Sequence, residues 1–444
     1  MGTIALSALV RGTETKTLTL ARRSLLVSGA GFGASLLARS SWAALPEYKT
    51  ARRTVRVSTY AQLAAAISQA TAGTHIVLAD GTYSGDAITV DRPATQADPI
   101  VLRAANRLGA VVRFNLTLQG TDVWLYGLDC ARPTSDLSSG TSVAMASGSQ
   151  RHVVRRCRVF RRVGTLIRPW GSGHVVDYCD LSVWGKQEVP KNGSGGNFAR
   201  GTAFRGVHDE GGVSSNVTVR RNHFHDCPFK TTVDGSAPYG HYPVTGVSTG
   251  INPREFDKKG YWLIQDNLFD KTGLFDITVK TSYNSIIGNT IVGAGNRTFF
   301  NMRSGNYSKL LRNYTRDGNY GYSSIVHGGF HEIGGNDVHQ AVALKWGNFD
   351  WDQVPSGDWR LHRAHEVRVF RDKGQIRDGQ RYSSEQNVSN LPPRLTRVTP
   401  SAGQTIVDGG GINRDNNFPL PYDPGAAVRL TAAEVGPAAP WVAP

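Results

Sequence analysis

An internal repeat runs through the middle of this sequence and leaves few folds open to it. An aliphatic residue, two variable positions, a Leu, Cys or Asn, another variable position and then usually an apolar residue recur. The pattern occurs at Leu125/Leu128/Cys130, Val154/Cys157/Val159, Val176/Cys179/Leu181 and Val219/Asn222/Phe224. It continues at Ile264/Asn267/Phe269, Ile286/Asn289/Ile291, Leu310/Asn313/Thr315 and Ile333/Asn336/Val338. The middle members are 29, 22, 43, 45, 22, 24 and 23 residues apart. Two gaps are thus close to twice the basic step, which predicts a rung with a degraded signature inside each.

A unit of 22 to 24 residues with short β segments, turns and no evident helix fits one turn of a right-handed parallel β-helix. It fits a leucine-rich repeat or a propeller blade less well. The fold class expected is all-β, a single-domain parallel β-helix, with an irregular β-sandwich as the competing architecture. Coils stack at about 4.7 to 4.9 Å, so equivalent positions form columns along the axis. Cys157 and Cys179 would begin one column and Asn267, Asn289, Asn313 and Asn336 continue it, the amides hydrogen-bonding along the stack at a turn. The runs at Ile76 and Ile100 read as the first coils. Ser58 to Ala72 has apolar residues at helical spacing, with Thr59 and Gln62 as a weak capping box, and predicts a helix over the N-terminal end of the stack. Capping that end hides strand edges that would otherwise pair with other chains.

The 444 residues carry 50 Lys plus Arg against 35 Asp plus Glu. Residues 1–43 stand apart: Ala21-Arg22-Arg23-Ser24-Leu25-Leu26 precede a mild Gly/Ala/Ser/Leu stretch ending Ser41-Trp42-Ala43. This reads as a twin-arginine export signal cleaved near Ala43. Its removal takes away five basic residues and one acid, leaving 45 against 34, or +11. Such a balance favours a polyanion, and export favours an acidic polysaccharide over nucleic acid or a lipid surface. No stretch beyond the N-terminus has the roughly 20 apolar residues of a membrane span, which excludes an integral membrane protein with helical spans; a monomer is expected. Residues 44–370 form the expected β-helix. From Arg371 to the C-terminus, Pro, Gly, Ser and charged residues predict irregular chain packed along it, with a loose tail. Cys130, Cys157, Cys179 and Cys227 show no disulfide framework and read as buried thiols of the stack.

A second column carries chemistry. Lys280 lies 9 residues before Asn289, Arg303 lies 10 before Asn313 and His327 lies 9 before Asn336, so they are spaced one coil apart. Strand alternation in Phe275 to Lys280 puts Phe275, Ile277 and Val279 inward and Asp276, Thr278 and Lys280 outward. A lysine one coil from an arginine is repelled by it, which lowers its pKa and makes a neutral amine accessible. An exposed basic stripe that only keeps the chain soluble is the alternative on geometry alone.

Two blocks carry a resemblance to a known family. The first runs from Val57 through IVLADGTY and PIVLRAAN to WLYGLDC, and the second is VKTSYNSIIGNT followed by FFNMRSGN. Both resemble polysaccharide lyase family 6, the chondroitinase B and alginate lyase family of parallel β-helices. The resemblance implies Lys280 as the base and Arg303 as the group assisting the glycosidic oxygen. It implies β-elimination at a 4-linked uronic acid, with alginate the first choice of polymer and dermatan-type chondroitin or a bacterial exopolysaccharide as alternatives. A non-catalytic β-helical protein that binds acidic polysaccharide is a further alternative.

One departure from the family matters. Its calcium-dependent members place an Asn and two Glu before the lysine, whereas DKTGLFDITV contains no Glu and HYPVTGVSTG no matching Asn. Asp270 and Asp276 are a thin set for an ion that takes six to eight oxygens, so no metal or other cofactor is expected. Cationic groups would then meet the substrate carboxylate, with Arg205, His241 and Arg254 as candidates; His327 joins the column by geometry only. The pairs His223/His225 and His362/His365 lack the third ligand of a zinc site. No adjacent Asp pair occurs in the chain, which argues against a polygalacturonase-type hydrolase.

Overall fold

A computed structural model describes residues 47–182 apart from 134–139 and 162–163, then 204–209, 214–227, 245–250, 259–292 apart from 273–274, 298–302, 307–316, 323–325, 332–338, 345–346, 368–370, 373–374 and 424–442. Residues 1–43, and with them the expected export signal, lie outside the described residues. Lys49–Pro440 forms one compact unit.

Among the described residues the chain cycles through three long sheets, here called A, B and C, of twelve, eleven and ten strands. One cycle is Val153–Arg155 in A, Arg158–Phe160 in B and Gly164–Pro169 in C. Each strand pairs in parallel with its counterpart one cycle on, as Val154 does with Val176 and Val159 with Leu181. This is a parallel β-helix. The repeat positions fall into register as expected, Leu125, Val154, Val176, Val219, Ile264, Ile286, Leu310 and Ile333 forming one column of sheet A. Their side chains fill the interior, and the core continues without a break from Val57 to Leu310.

The turn from A to B explains the spacing. One residue of each turn adopts a left-handed conformation: Gly127, Arg156, Tyr178, Arg221, Asp266, Gly288, Arg312 and Gly335 have φ between 53° and 67°. The next residue then turns inward, and Leu128, Cys157, Cys179, Asn222, Asn267, Asn289, Asn313 and Asn336 are all buried. From Asn222 onward these amides form a ladder. Asn289 Oδ1 accepts from the backbone N–H of Asn267 at 3.0 Å and from its Nδ2 at 2.9 Å, while Asn289 Nδ2 donates to Ile264 O at 2.9 Å and Asn313 Oδ1 at 3.0 Å. Asn222, Asn267 and Asn313 repeat the arrangement. Cys179 joins through its N–H to Asn222 Oδ1. Cys130, Cys157 and Cys179 are free and buried, and burial raises the Cys157 thiol to about 12.

The turn from C to A carries a second, histidine ladder. His152 Nδ1 accepts from Val123 N–H, His174 Nδ1 accepts from His152 N–H, and the rings stack 5.2 Å apart. Burial lowers His152 to about 3 and His174 to about 4, so both are neutral acceptors.

The double gaps hold no hidden rung. Val176 pairs directly with Val219 and Val219 directly with Ile264. The surplus residues fall largely in 183–203 and 228–244, between a strand of sheet B and the next of sheet C and outside the described residues. A pattern of spacings cannot tell an inserted loop from a weak coil.

Before the second strand of sheet A the chain forms a helix, Tyr60–Ser68, shorter than the run that suggested it. Thr59 Oγ1 accepts from Gln62 N–H, Gln62 Oε1 accepts from Ser58 N–H, and Leu63, Ala66 and Ile67 enter the core. At the other end Arg368–Phe370 and Lys373–Gly374 pair in sheets A and B, so a coil straddles residue 371. Residues 424–440 then run back along the A–B corner as a strap. Ala427 N–H donates to Gly335 O, Leu430 N–H to Thr290 Oγ1, and Gly436 N–H to Arg221 O. Leu430 and Val435 pack on Leu268, and Arg156 donates to the carbonyls of Pro437 and Ala439. Among the described residues no helix is long and apolar enough to cross a membrane.

Candidate functional site

Sheet C delivers Lys280 to the C–A turn. Ile277 and Val279 are fully buried in the core, as alternation requires, while Lys280, just past the strand end, is half-buried. Its backbone is clamped by hydroxyls: Lys280 N–H donates to Thr249 Oγ1 at 2.9 Å, and Thr281 Oγ1 donates to the same oxygen at 2.9 Å. Thr249 N–H bonds Thr278 O at 3.1 Å. Asn284 Nδ2 donates to Thr281 O at 2.5 Å, and Asn284 Oδ1 accepts from Trp262 N–H at 3.1 Å. Thr249, Thr281, Asn284 and Ser308 are fully buried, so this network holds the turn without water. The neighbour of Lys280 on the preceding coil is Gly250, where a Cβ would stand 3.4 Å from Lys280 Cβ. The absence of a side chain there leaves the lysine stem uncovered on that side.

Thr278 pairs with Asn301 and Val279 with Met302, so register ends on the residues directly before Lys280 and Arg303. Arg303, His327, His241 and Arg254 lie outside the described residues. Arg205 stands in sheet C in register with Thr165 and Thr245, a column continued by Phe275. That backbone position has the parity of the core residues Ile167, Val207, Val247 and Ile277, opposite to that of Lys280. The outward parity runs instead through His208, Ser248, Thr278 and Asn301. His208 is buried, and sequence reasoning passed over it in the same run that supplied Arg205.

Two carboxylates weighed for a metal separate in the fold. Asp270 pairs with His225 and Val292 in sheet B, whereas Asp276 lies in Phe275–Val279 of sheet C. Neutral Thr278 and Ser248 occupy the column leading to Lys280, which does not suit a calcium ion. Among the described residues no group of three or more His, Cys, Asp or Glu is placed to hold a metal ion. His225 is held by Asp180 at 2.6 Å and Asp226 at 2.9 Å. Burial alone would lower its pKa, but the hydrogen bond and charge of Asp180, then those of Asp226, raise it to about 9. A protonated imidazole cannot ligate zinc.

No protein-family model and no curated protein matches the sequence. The comparison of structures does find relatives of the coil stack. A family 6 polysaccharide lyase from Pseudopedobacter saltans superposes with a TM-score of 0.55 at 15% identity, over 87% of this chain and 99% of that one. The fold is that of the family 6 polysaccharide lyases. A mannuronic acid specific family 6 lyase from human gut microbiota gives a TM-score of 0.52 at 14% identity, over 73% of this chain and 76% of that one. The Dettilon tailspike protein gives 0.50 at 11%, over 71% of this chain and 58% of that one. The coil stack therefore supports lyases and a tailspike alike, and function must be argued from the site.

Proposed function

We propose that the protein is a polysaccharide lyase of family 6 that cleaves a 4-linked uronic acid polymer by β-elimination, alginate first among the candidates. The observation that carries this reading is Lys280: a half-buried amine at the end of a sheet C strand, on a clamped turn, beside a glycine, with the next coil registered up to the residue before Arg303. In the reaction the neutral amine of Lys280 takes the C5 proton, the electron pair forms the C4=C5 double bond, and the C4–O bond breaks. Arg303, or a water that it orders, protonates or stabilises the departing oxygen, and no water is added to the sugar. The carbanion-like intermediate requires its carboxylate to be neutralised. His241 and Arg254 are the proposed cations, with His327 on the same column; the core parity of position 205 makes Arg205 the weakest of the set. Residues 1–43 are proposed to direct the monomeric protein out of the cytoplasm, where such polymers are found.

A panel of acidic polysaccharides, followed by the ultraviolet absorbance of the unsaturated product, tests the reading. Product from alginate is expected, and absorbance from none of the polymers would end it. Lys280→Ala should lower kcat by about 10² to 10⁴ with little change in KM, since the base acts only in the transition state. Lys280→Arg should not restore it, because a guanidinium does not release its proton. Activity should survive excess chelator; loss reversed specifically by Ca²⁺ would show that the carboxylate is met by a metal after all.

A further inference from the structure

The C–A turn has its own left-handed position, and on the coils around Lys280 it is filled by tyrosine. Tyr261, Tyr283 and Tyr307 have φ of 50°, 62° and 56°. A bulky side chain is disfavoured there, and the same turn on earlier coils uses residues that tolerate it: Asp122, Gly173 and Asn216. The three rings stack along the axis, with centroids 5.2 Å and 4.9 Å apart and planes inclined by 27° and 10°. They become more open along the row, from half-buried Tyr261 and Tyr283 to Tyr307 at 42% exposure. A basic residue precedes each ring by two to four positions: Lys259, Lys280 and Arg303. Lys259 is exposed, and its backbone bridges to Ser282, next to Tyr283. Tyr283 is three residues from Lys280, within about 10 Å along the chain.

Strained backbone retained on consecutive coils, next to a reactive side chain, points to a function for the rings beyond the turn itself. We propose that Tyr261, Tyr283 and Tyr307 form a rail that binds the polysaccharide chain beside Lys280. An acidic sugar has an apolar C–H face and carboxylate and hydroxyl edges. The rail offers matching chemistry: aromatic surface at the open end of the row, phenol hydroxyls along it, and cations interleaved at each coil. This rests on the lyase reading for its substrate, and the rail is a binding element, taking no part in proton transfer.

Substitution by asparagine separates binding from turn geometry, because asparagine suits the left-handed position and already occupies it at Asn216. Tyr283→Asn, and the triple change of Tyr261, Tyr283 and Tyr307 to Asn, should keep or raise Tm. On alginate KM should rise about five- to tenfold for the single change and further for the triple, with kcat within about twofold. In native gels containing alginate, the triple change introduced into Lys280→Ala should migrate with less retardation than Lys280→Ala itself. Unchanged KM and retardation would overturn the rail, and a fall in Tm with unchanged KM would show that the rings only clamp the turns. If the wild type is retarded by alginate yet forms no unsaturated product, the lyase reading fails while the gel still decides the rail. A wild type that is neither retarded nor active overturns both.

Discussion

Asn289 shows how a single side chain holds the stack. Its amide bonds above and below are all buried, so truncation leaves the N–H of Asn267, the carbonyl of Ile264 and Oδ1 of Asn313 short of partners. Asn289→Ala should cost about 2 to 4 kcal/mol, read from urea unfolding. The histidine ladder predicts a pH effect of definite sign. His152 and His174 titrate near 3 and 4 when folded against 6.5 unfolded. Between those values the unfolded chain binds more protons, so their contribution is intact above pH 6.5 and lost as pH falls toward 3 to 4. His174→Asn, which keeps an acceptor for His152 N–H, should flatten the fall in urea midpoint over that window, whatever it costs at neutral pH. At this scale the sequence was legible where spacing repeats. The asparagines stood out at 22 to 24 residues, and Tyr261, Tyr283 and Tyr307 have that same spacing. The tyrosines were passed over because aromatic residues are commonplace in β structure, and only backbone φ distinguishes these three. Thr249 and Asn284 carried no signal, since their partners are set by the path of the turn.

The coils themselves were read correctly from the repeat, including their register, because each interior position demands an apolar side chain of the same parity. What the repeat could not convey was the length between strands. Chain leaving and rejoining a coil changes no register, so the long gaps looked like missing rungs. The strap was foreseen only as irregular chain along the stack, as its contacts depend on shape and on backbone carbonyls. One contact makes it testable. Gly335 has φ 62°, and a Cβ there would lie 2.0 Å from the carbonyl oxygen of Gly425. Gly335→Ala must displace the strap at that point, where Ala427 N–H bonds Gly335 O. We expect a loss of about 1 to 3 kcal/mol, together with faster proteolytic cleavage within residues 424–440.

For the molecule as a whole, the basic balance and the coil stack agree with a long anionic partner, and the candidate site was legible to the extent that motif and period coincide at Lys280. A linear array of coils has a particular weakness: each layer is supported only by its neighbours, so the ends should peel first. The strap changes that. Arg107, near the start of the array, donates to Pro437 O across 330 residues at 2.6 Å, while Ala427 is tied to Gly335 near the other end. The tie is among the most non-local contacts that the chain makes, and it can form only after the intervening layers are wound. It turns an open row into a closed circuit, in which neither end can loosen without breaking the link to the other. Amide exchange should therefore report opening of the coils near Leu102 and near Leu310 at a common free energy. Deletion of residues 424–444 should split that value, with the C-terminal coils opening first.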